Sequence, residues 1–458
     1  MNDIAHLEAG NENTAGHPAL ADLKIRLAEV VDQQNLLTDF QVEMVRFFNL
    51  LRQEQQIGFE ALRQGVAAEK PSTGRRAIAS SSAASALVLP GADRMKIHFY
   101  PDYCATNPYQ ALIRAALPDE SMISAGSIDQ AILAMKADSG RAHLFHLHWT
   151  NAILMHARDQ AMAVAMAEAF LIKLKIFREL GGIIVWTVHN VLSHDDTYVS
   201  IERALCAEIA RLAHRIHLHS PLALPMLERE FEVSREKVAF VEHPSYIGVY
   251  PNYADEMTAR SRLKIPADHT VFAFMGMLRP YKGLEELLAA FRIVQAENAK
   301  VHLLIAGEAL APYSAAGMQQ MVSGHRNVTL VNRRLHDIEL QWIFNASDFV
   351  VLPYKKILTS GSALNAMSFS RPVIVPDLGV LPDTVEDGKS GIVYEAKTEL
   401  AGLVSALRRA AAMSAGERAR MRETAFERVA GLTWRGLADG LYGGFVERTQ
   451  SAPASLSA

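Results

Sequence analysis

Residues 352–383 read LPYKKILTSGSALNAMSFSRPVIVPDLGVLPD. An apolar run ends at Leu352 and passes into Tyr354, Lys355 and Lys356. A small polar turn, Thr359, Ser360, Gly361 and Ser362, then opens a stretch of helical character. A second apolar run, residues 372–377, follows and leads into another glycine-containing turn. Two strand-length apolar runs joined through a helix form the unit of a parallel sheet buried on both faces. A helix that starts straight after a strand presents unpaired N–H groups and a partial positive charge, which suits an anion. A plain Ser/Thr helix cap is the simpler reading of the same four residues.

The same alternation extends outward in both directions. From Met95, the runs MKIHFY, LFHLHW, IIVWTVH, RIHLHS and VAFVEH are separated by helix-like segments such as residues 160–180 and 199–213. A second series follows from Val271: VFAFMGM, VHLLIAG, VTLVNR, DFVVLPY, PVIVPD and GIVYE. Between the two series lies a stretch rich in Pro, Tyr and charge, which reads as an inter-domain linker. The expected fold is therefore α/β, with two Rossmann-like domains, residues 95–250 and 251–430, facing a cleft at their strand C-termini. Ahead of them, residues 1–70 read as a helical extension. Within it, residues 20–65 approximate a heptad seam suited to self-association. Residues 71–94, rich in Ser and Ala, read as a linker.

Composition narrows the function. The chain has 458 residues, half of them hydrophobic, and a net charge of -4. That balance speaks against nucleic acid as a partner. Two distant cysteines form no disulfide or metal pattern and suit a reducing cytosol. The N-terminus lacks the apolar core of a signal peptide, and no uncharged apolar run reaches about 18 residues, so no transmembrane helix is expected.

Several loops carry candidate chemistry. In GMLRPYKGLEELLAAF, Gly276 ends a strand, Arg279 and Lys282 follow on the loop, and Gly283 opens an amphipathic helix. Two cations at a helix N-terminus make a diphosphate site, although ordinary surface cations on a βα loop would read the same. His189, Asn190, His194, Asp195 and Asp196 follow another apolar strand. His146 and His148 alternate on one strand, and His217 and His219 on another. Imidazole is a favoured zinc ligand, yet no H-E-x-x-H or cysteine partner accompanies these pairs, so the expected metal is none. His148 and Trp149 are placed to border a cleft. His243, next to Pro244, suits either linker packing or a ligand contact.

Taken in order, these blocks resemble GT-B glycosyltransferases of the family 4 type, over roughly residues 95–442. GMLRPYKGLEELLAAF is similar to that family's donor-phosphate loop. In LLIAGEAL a strand ends at Gly307, as in that family, VNRRLHDIELQWIFNASDFVVLPY resembles the segment beside the nucleotide base, with Asn332 and Arg333 near it, and RPVIVPDLGVLPDTVEDGKSGIVY is the most specific match. LTWRGLADGLYGGF resembles the closing helix that crosses back to the first domain, within residues 431–458. Retaining members usually carry two glutamates across the quoted turn and helix, where this chain has Ile357 and Asn365. That departure resembles bacterial exopolysaccharide enzymes of the xanthan β-mannosyltransferase type.

The resemblance implies a cytoplasmic glycosyltransferase, with peripheral contact at the inner membrane surface, using a nucleotide-diphosphate sugar as substrate and no cofactor. Donor contacts would come from Gly276, Arg279, Lys282, Gly307, Asn332, Arg333, Tyr354 and residues Thr359, Ser360, Gly361 and Ser362. Tyr103, Asn107, Tyr109, His148 and Trp149 would meet a glycan or lipid-linked acceptor. His189 would lie near the transferred sugar. An inverting displacement needs a base, for which Asp195 and His189 are the candidates, with Arg279 and Lys282 stabilising the leaving group. The alternative is an inactive sugar-binding or scaffold protein on the same architecture.

Overall fold

The computed structural model describes residues 95–117, 122–138, 140–193 and 197–450, with side chains as far as Gly443. The expected helical extension and linker lie outside the described residues, as do His194, Asp195 and Asp196. Both sheets belong to one compact unit, Leu87–Ala458.

The first sheet is built from β1 (Met95–Tyr100), β2 (Ile123–Ala125), β3 (Ala142–Leu147), β4 (Ile183–Thr187), β5 (Arg215–Leu218) and β6 (Val238–Phe240). The second comprises β7 (Thr270–Met275), β8 (Val301–Ala306), β9 (Val328–Val331), β10 (Phe349–Val351), β11 (Val373–Pro376) and β12 (Gly391–Tyr394). The strand orders are β2-β1-β3-β4-β5-β6 and β12-β11-β10-β7-β8-β9. Every pairing is parallel, for example Ile97 beside Leu144 and Phe272 beside Phe349. Every residue of β7 and β8 is buried, because helices cover both faces and leave no solvated side for polar residues. Each fully buried Phe or Leu there contributes about 1.5–3 kcal/mol relative to exposure.

This order fixes where ligands can enter. In the first sheet the chain goes from β1 to β2 on one side and then to β3 on the other. In the second it goes from β7 to β8 on one side and later to β10 on the other. Such switch points leave a crevice beyond the strand C-termini. The β1–β3 crevice is bordered by the loops holding Tyr103, Asn107, His148 and Trp149. The β7–β10 crevice is bordered by the loops holding Gly276, Arg279, Lys282 and residues 359–362.

Helix Ala415–Ala430 packs with the second sheet through Ala425 and Val429. The chain then crosses back. Helix Trp434–Gln450 places Leu437, Ala438, Leu441 and Tyr442 in the core under β1 and β3. Arg215 anchors it by donating to the Leu441 carbonyl at 2.6 Å, and Trp434 Nε1 donates to the Ser245 carbonyl at 2.8 Å.

Candidate functional site

The loop after β7 is shaped around one ammonium. Gly276 has φ +117°, and a Cβ on it would lie 2.9 Å from Lys282 Nζ. Gly307, which follows β8, packs so closely that its Cβ would sit 1.9 Å from the Gly276 carbonyl oxygen. Gly283, at φ +74°, lets the loop press on the Pro353 carbonyl beyond β10. Lys282 is 8% exposed, and its ammonium makes no ion pair or hydrogen bond within the described residues. Burial, and then the nearby Arg279, push its ammonium down to about 8. Arg279 is half-buried and caps the short turn Pro280–Lys282.

Across the crevice, Ser360 caps helix Gly361–Ser368 by accepting from the Ala363 N–H at 3.2 Å. The buried Tyr354 hydroxyl lies 3.1 Å from Ser360 Oγ and so fixes the cap. The Gly361 and Ser362 N–H groups have no partner among the described residues. The turn packs closely on the first domain's linker: a Cβ on Gly361 would meet Tyr246 Oη at 3.1 Å, so the tyrosine ring would have to yield by a few tenths of an ångström. Thr359 reaches the other domain, its hydroxyl donating to the His189 carbonyl at 3.4 Å. Ser220, after β5, likewise donates to the Asp383 carboxylate on the second-sheet side. A cavity of about 250 Å³ opens between them, lined by His219, Ser220, His243, Thr359, Ser360 and Asp383 among others.

The first-domain wall is a packed cluster of histidines and aromatic rings. His146, His148, His189 and His219 are held well below 6.5, and His217 and His243 at about 4, chiefly by burial. All six are therefore neutral at pH 7, and the direction of the hydrogen bonds follows. A carbonyl only accepts, so His217 Nε2 and His219 Nδ1 both donate to the Val241 oxygen, at 2.9 and 3.0 Å. His217 Nδ1 then accepts from Thr187 at 3.0 Å, Thr187 accepts from His146 Nε2 at 2.7 Å, and Tyr442 donates to His146 Nδ1 at 2.7 Å. The Tyr109 hydroxyl donates to His219 Nε2 at 3.1 Å. His189 stacks on Trp149 at 4.3 Å and lies 3.3 Å, Nε2 to Nδ1, from His148.

The remaining expected site residues divide. Tyr103 packs on Trp149 at 5.4 Å near the β1–β3 crevice. Tyr109 is 3% exposed at the centre of the cluster and has no ring face to offer an acceptor. The Asn107 side chain is a helix cap, accepting from the Tyr109 N–H at 3.0 Å. Asn332 Oδ1 accepts from the Ala309 N–H at 3.1 Å, and the Arg333 fork is engaged by Glu339, with one contact at 2.7 Å. Ile357 packs with the second core, whereas Asn365 is buried with its Oδ1 unpaired. Among the described residues, no three His, Cys, Asp or Glu side chains gather as a metal site. Sequence reasoning missed Thr187, Ser220, Tyr246, Asp383 and Tyr442. Only the hydroxyls at strand ends, Thr187 and Ser220, left a local signal.

Residues 269–412 match the family model described as Glycosyl transferases group 1. Over 274 residues the chain is 28% identical to a GDP-mannose:glycolipid 4-beta-D-mannosyltransferase of Xanthomonas campestris pv. campestris, covering 59% of this chain and 70% of that one. A D-inositol 3-phosphate glycosyltransferase of Segniliparus rotundus is 24% identical over 280 residues, 57% of this chain and 60% of that one. Among solved structures, Anabaena HepE in complex with UDP and glucose superposes with a TM-score of 0.57 at 15% identity, over 78% of this chain and all (100%) of that one. Sucrose-phosphate synthase from Thermosynechococcus elongatus gives 0.56 at 20% identity, over 70% and 77%. The cationic loop, the capped turn and the β7–β10 switch point thus lie within a stretch that matches Glycosyl transferases group 1, and the two parallel sheets together have the GT-B fold.

Proposed function

We propose that this protein is a glycosyltransferase that moves a sugar from a nucleotide-sugar donor to a glycan or lipid-linked acceptor in bacterial surface or exopolysaccharide assembly. One observation carries the reading: a buried, unpaired ammonium, Lys282, stands beside Arg279 at a switch point whose other side is a helix N-terminus. Such a place is costly to maintain empty and fits a diphosphate. As the glycosidic bond breaks, charge grows on that leaving group, and the two cations with the Gly361 and Ser362 N–H groups stabilise it without a metal ion. The Xanthomonas relative makes GDP-mannose the first donor to try and a glycolipid the first acceptor.

Inversion is the stereochemical course we propose, since Ile357 and Asn365 stand where retaining relatives carry carboxylates. His189 is a poor base when its basicity is so lowered, which leaves Asp195 as the candidate. A glycolipid acceptor implies contact with a membrane surface; no helix of the described residues is long and apolar enough to cross one. Residues 20–65 are proposed to serve self-association.

The test is incubation with GDP-mannose and UDP-glucose, with and without acceptor, followed by nucleotide release and proton NMR of fresh product. Release together with an anomeric configuration opposite to the donor's supports transfer with inversion. Retained configuration refutes inversion. Binding without any release favours the sugar-binding scaffold, a reading the absent carboxylate pair keeps in play.

A further inference from the structure

We propose that His148 is a positioning residue: its Nδ1–H donates to His189 Nε2 and so fixes the His189 proton on Nδ1. This rests on the proposed glycosyl transfer only for its consequence, not for its geometry. Both rings are neutral, so each carries one proton, and the 3.3 Å contact joins one donor to one acceptor. Two arrangements satisfy that condition. They differ at His148 Nε2, which is sealed from solvent and has no partner. If His189 donated, His148 would have to bury an orphan N–H there. If His148 donates, only a lone pair is left unsatisfied. Orphaned buried N–H groups are the rarer of the two.

The surroundings hold this pair rigidly. His148 lies against His146 at 4.0 Å and edge-on to Phe99 at 5.0 Å. His189 is clamped between Trp149 and the edge of Tyr109, at 4.3 and 4.7 Å. Neither ring can rotate to exchange its nitrogens without unstacking. His189 Nδ1 has no partner within the described protein and is not sealed like His148 Nε2. At the end of β4, beside the Thr359 contact, it offers an N–H. His189 therefore presents a hydrogen-bond donor to a sugar oxygen and does not take up the acceptor's proton.

The experiment has two arms. In the first, 15N NMR of histidine-labelled full-length protein, with His148→Asn and His189→Asn used for assignment, reads which ring nitrogens are protonated. The expected pattern is proton on Nδ1 in both rings; proton on His189 Nε2 overturns the proposal. This arm needs no substrate, so it stands or falls separately from the glycosyl-transfer reading. In the second, His148→Asn keeps an amide donor at the Nδ1 position, whereas His148→Leu removes it. With nucleotide sugar, kcat/KM of the Leu variant is expected to fall about tenfold, the equivalent of one lost neutral hydrogen bond, with the Asn variant recovering most of it. Equal activity in the two variants, both folded by circular dichroism, overturns the positioning role. No turnover in wild type overturns glycosyl transfer and leaves the NMR result to decide the tautomer.

Discussion

Replacing Lys282 by Met separates binding from stability, because the two should move in opposite directions. The ammonium is pushed from its ordinary 10.5 to about 8 by burial and by Arg279, and nothing in the described residues compensates it. At pH 7 it is still charged, so its burial costs the ligand-free fold about 3 kcal/mol. The sign follows from proton uptake. Between about pH 8 and 10.5 the unfolded chain holds this proton and the folded chain does not, so stability rises with pH across that window. Met fills the same space without charge. Lys282→Met should therefore raise the thermal midpoint of the ligand-free protein at pH 7 and remove this part of the alkaline gain. The same change should lower kcat/KM with a nucleotide sugar by about 30- to 1000-fold, the scale of one lost charge contact to a leaving group. Thermal unfolding at pH 7 and 10, paired with donor turnover, checks both. A variant that is less stable without ligand, or one with unchanged kcat/KM, would refute the reasoning.

Other expectations follow from single contacts. Gly276→Ala places a Cβ against the Lys282 ammonium at a backbone angle of φ +117°, so donor turnover should fall and the fold should lose about 1–2 kcal/mol, read by kinetics and urea unfolding. Tyr442→Phe strips the donor from His146 Nδ1 and should cost about 1–3 kcal/mol in the same unfolding assay, with little change in KM for donor. His217 and His243 carry folded values of about 4 against 6.5 unfolded, and burial lowers His146, His148, His189 and His219 in the same direction, so the unfolded chain takes up more protons as pH falls. Stability should drop between pH 6.5 and 4; thermal midpoints unchanged from pH 7 to 5 would contradict this.

The strands were legible because helices bury both sheet faces, which leaves continuous apolar runs such as β7 and β8. β2, at three residues, was too short to stand out. Strand order is a matter of distant pairing, so the switch points that place the β1, β3, β7 and β10 loops together could not be read locally. Arg279 and Lys282 were recognisable as cations on a βα loop, but the burial of Lys282 was not. It depends on Gly276 and on Gly307, which arrives from β8. Tyr109 and Asn107 resembled sugar contacts because an aromatic and an amide in a loop carry no mark of burial. Only the fold encloses Tyr109 among His148, His189, His219, His243 and Trp434. The alternation of the histidines along two strands was legible, but the direction of their bonds required the Val241 carbonyl and Tyr442 from elsewhere in the chain.

The central claim is that a nucleoside diphosphate seats on Lys282, Arg279 and the capped turn. Calorimetric titration of GDP, UDP and their monophosphates into wild type, Arg279→Ala and Lys282→Ala tests it most directly. At least one diphosphate should bind wild type more tightly than its monophosphate, and that advantage should shrink by about tenfold or more in each variant, as for a lost charge-assisted contact. Diphosphates that bind no better than monophosphates, or an advantage that survives both substitutions, would contradict the account.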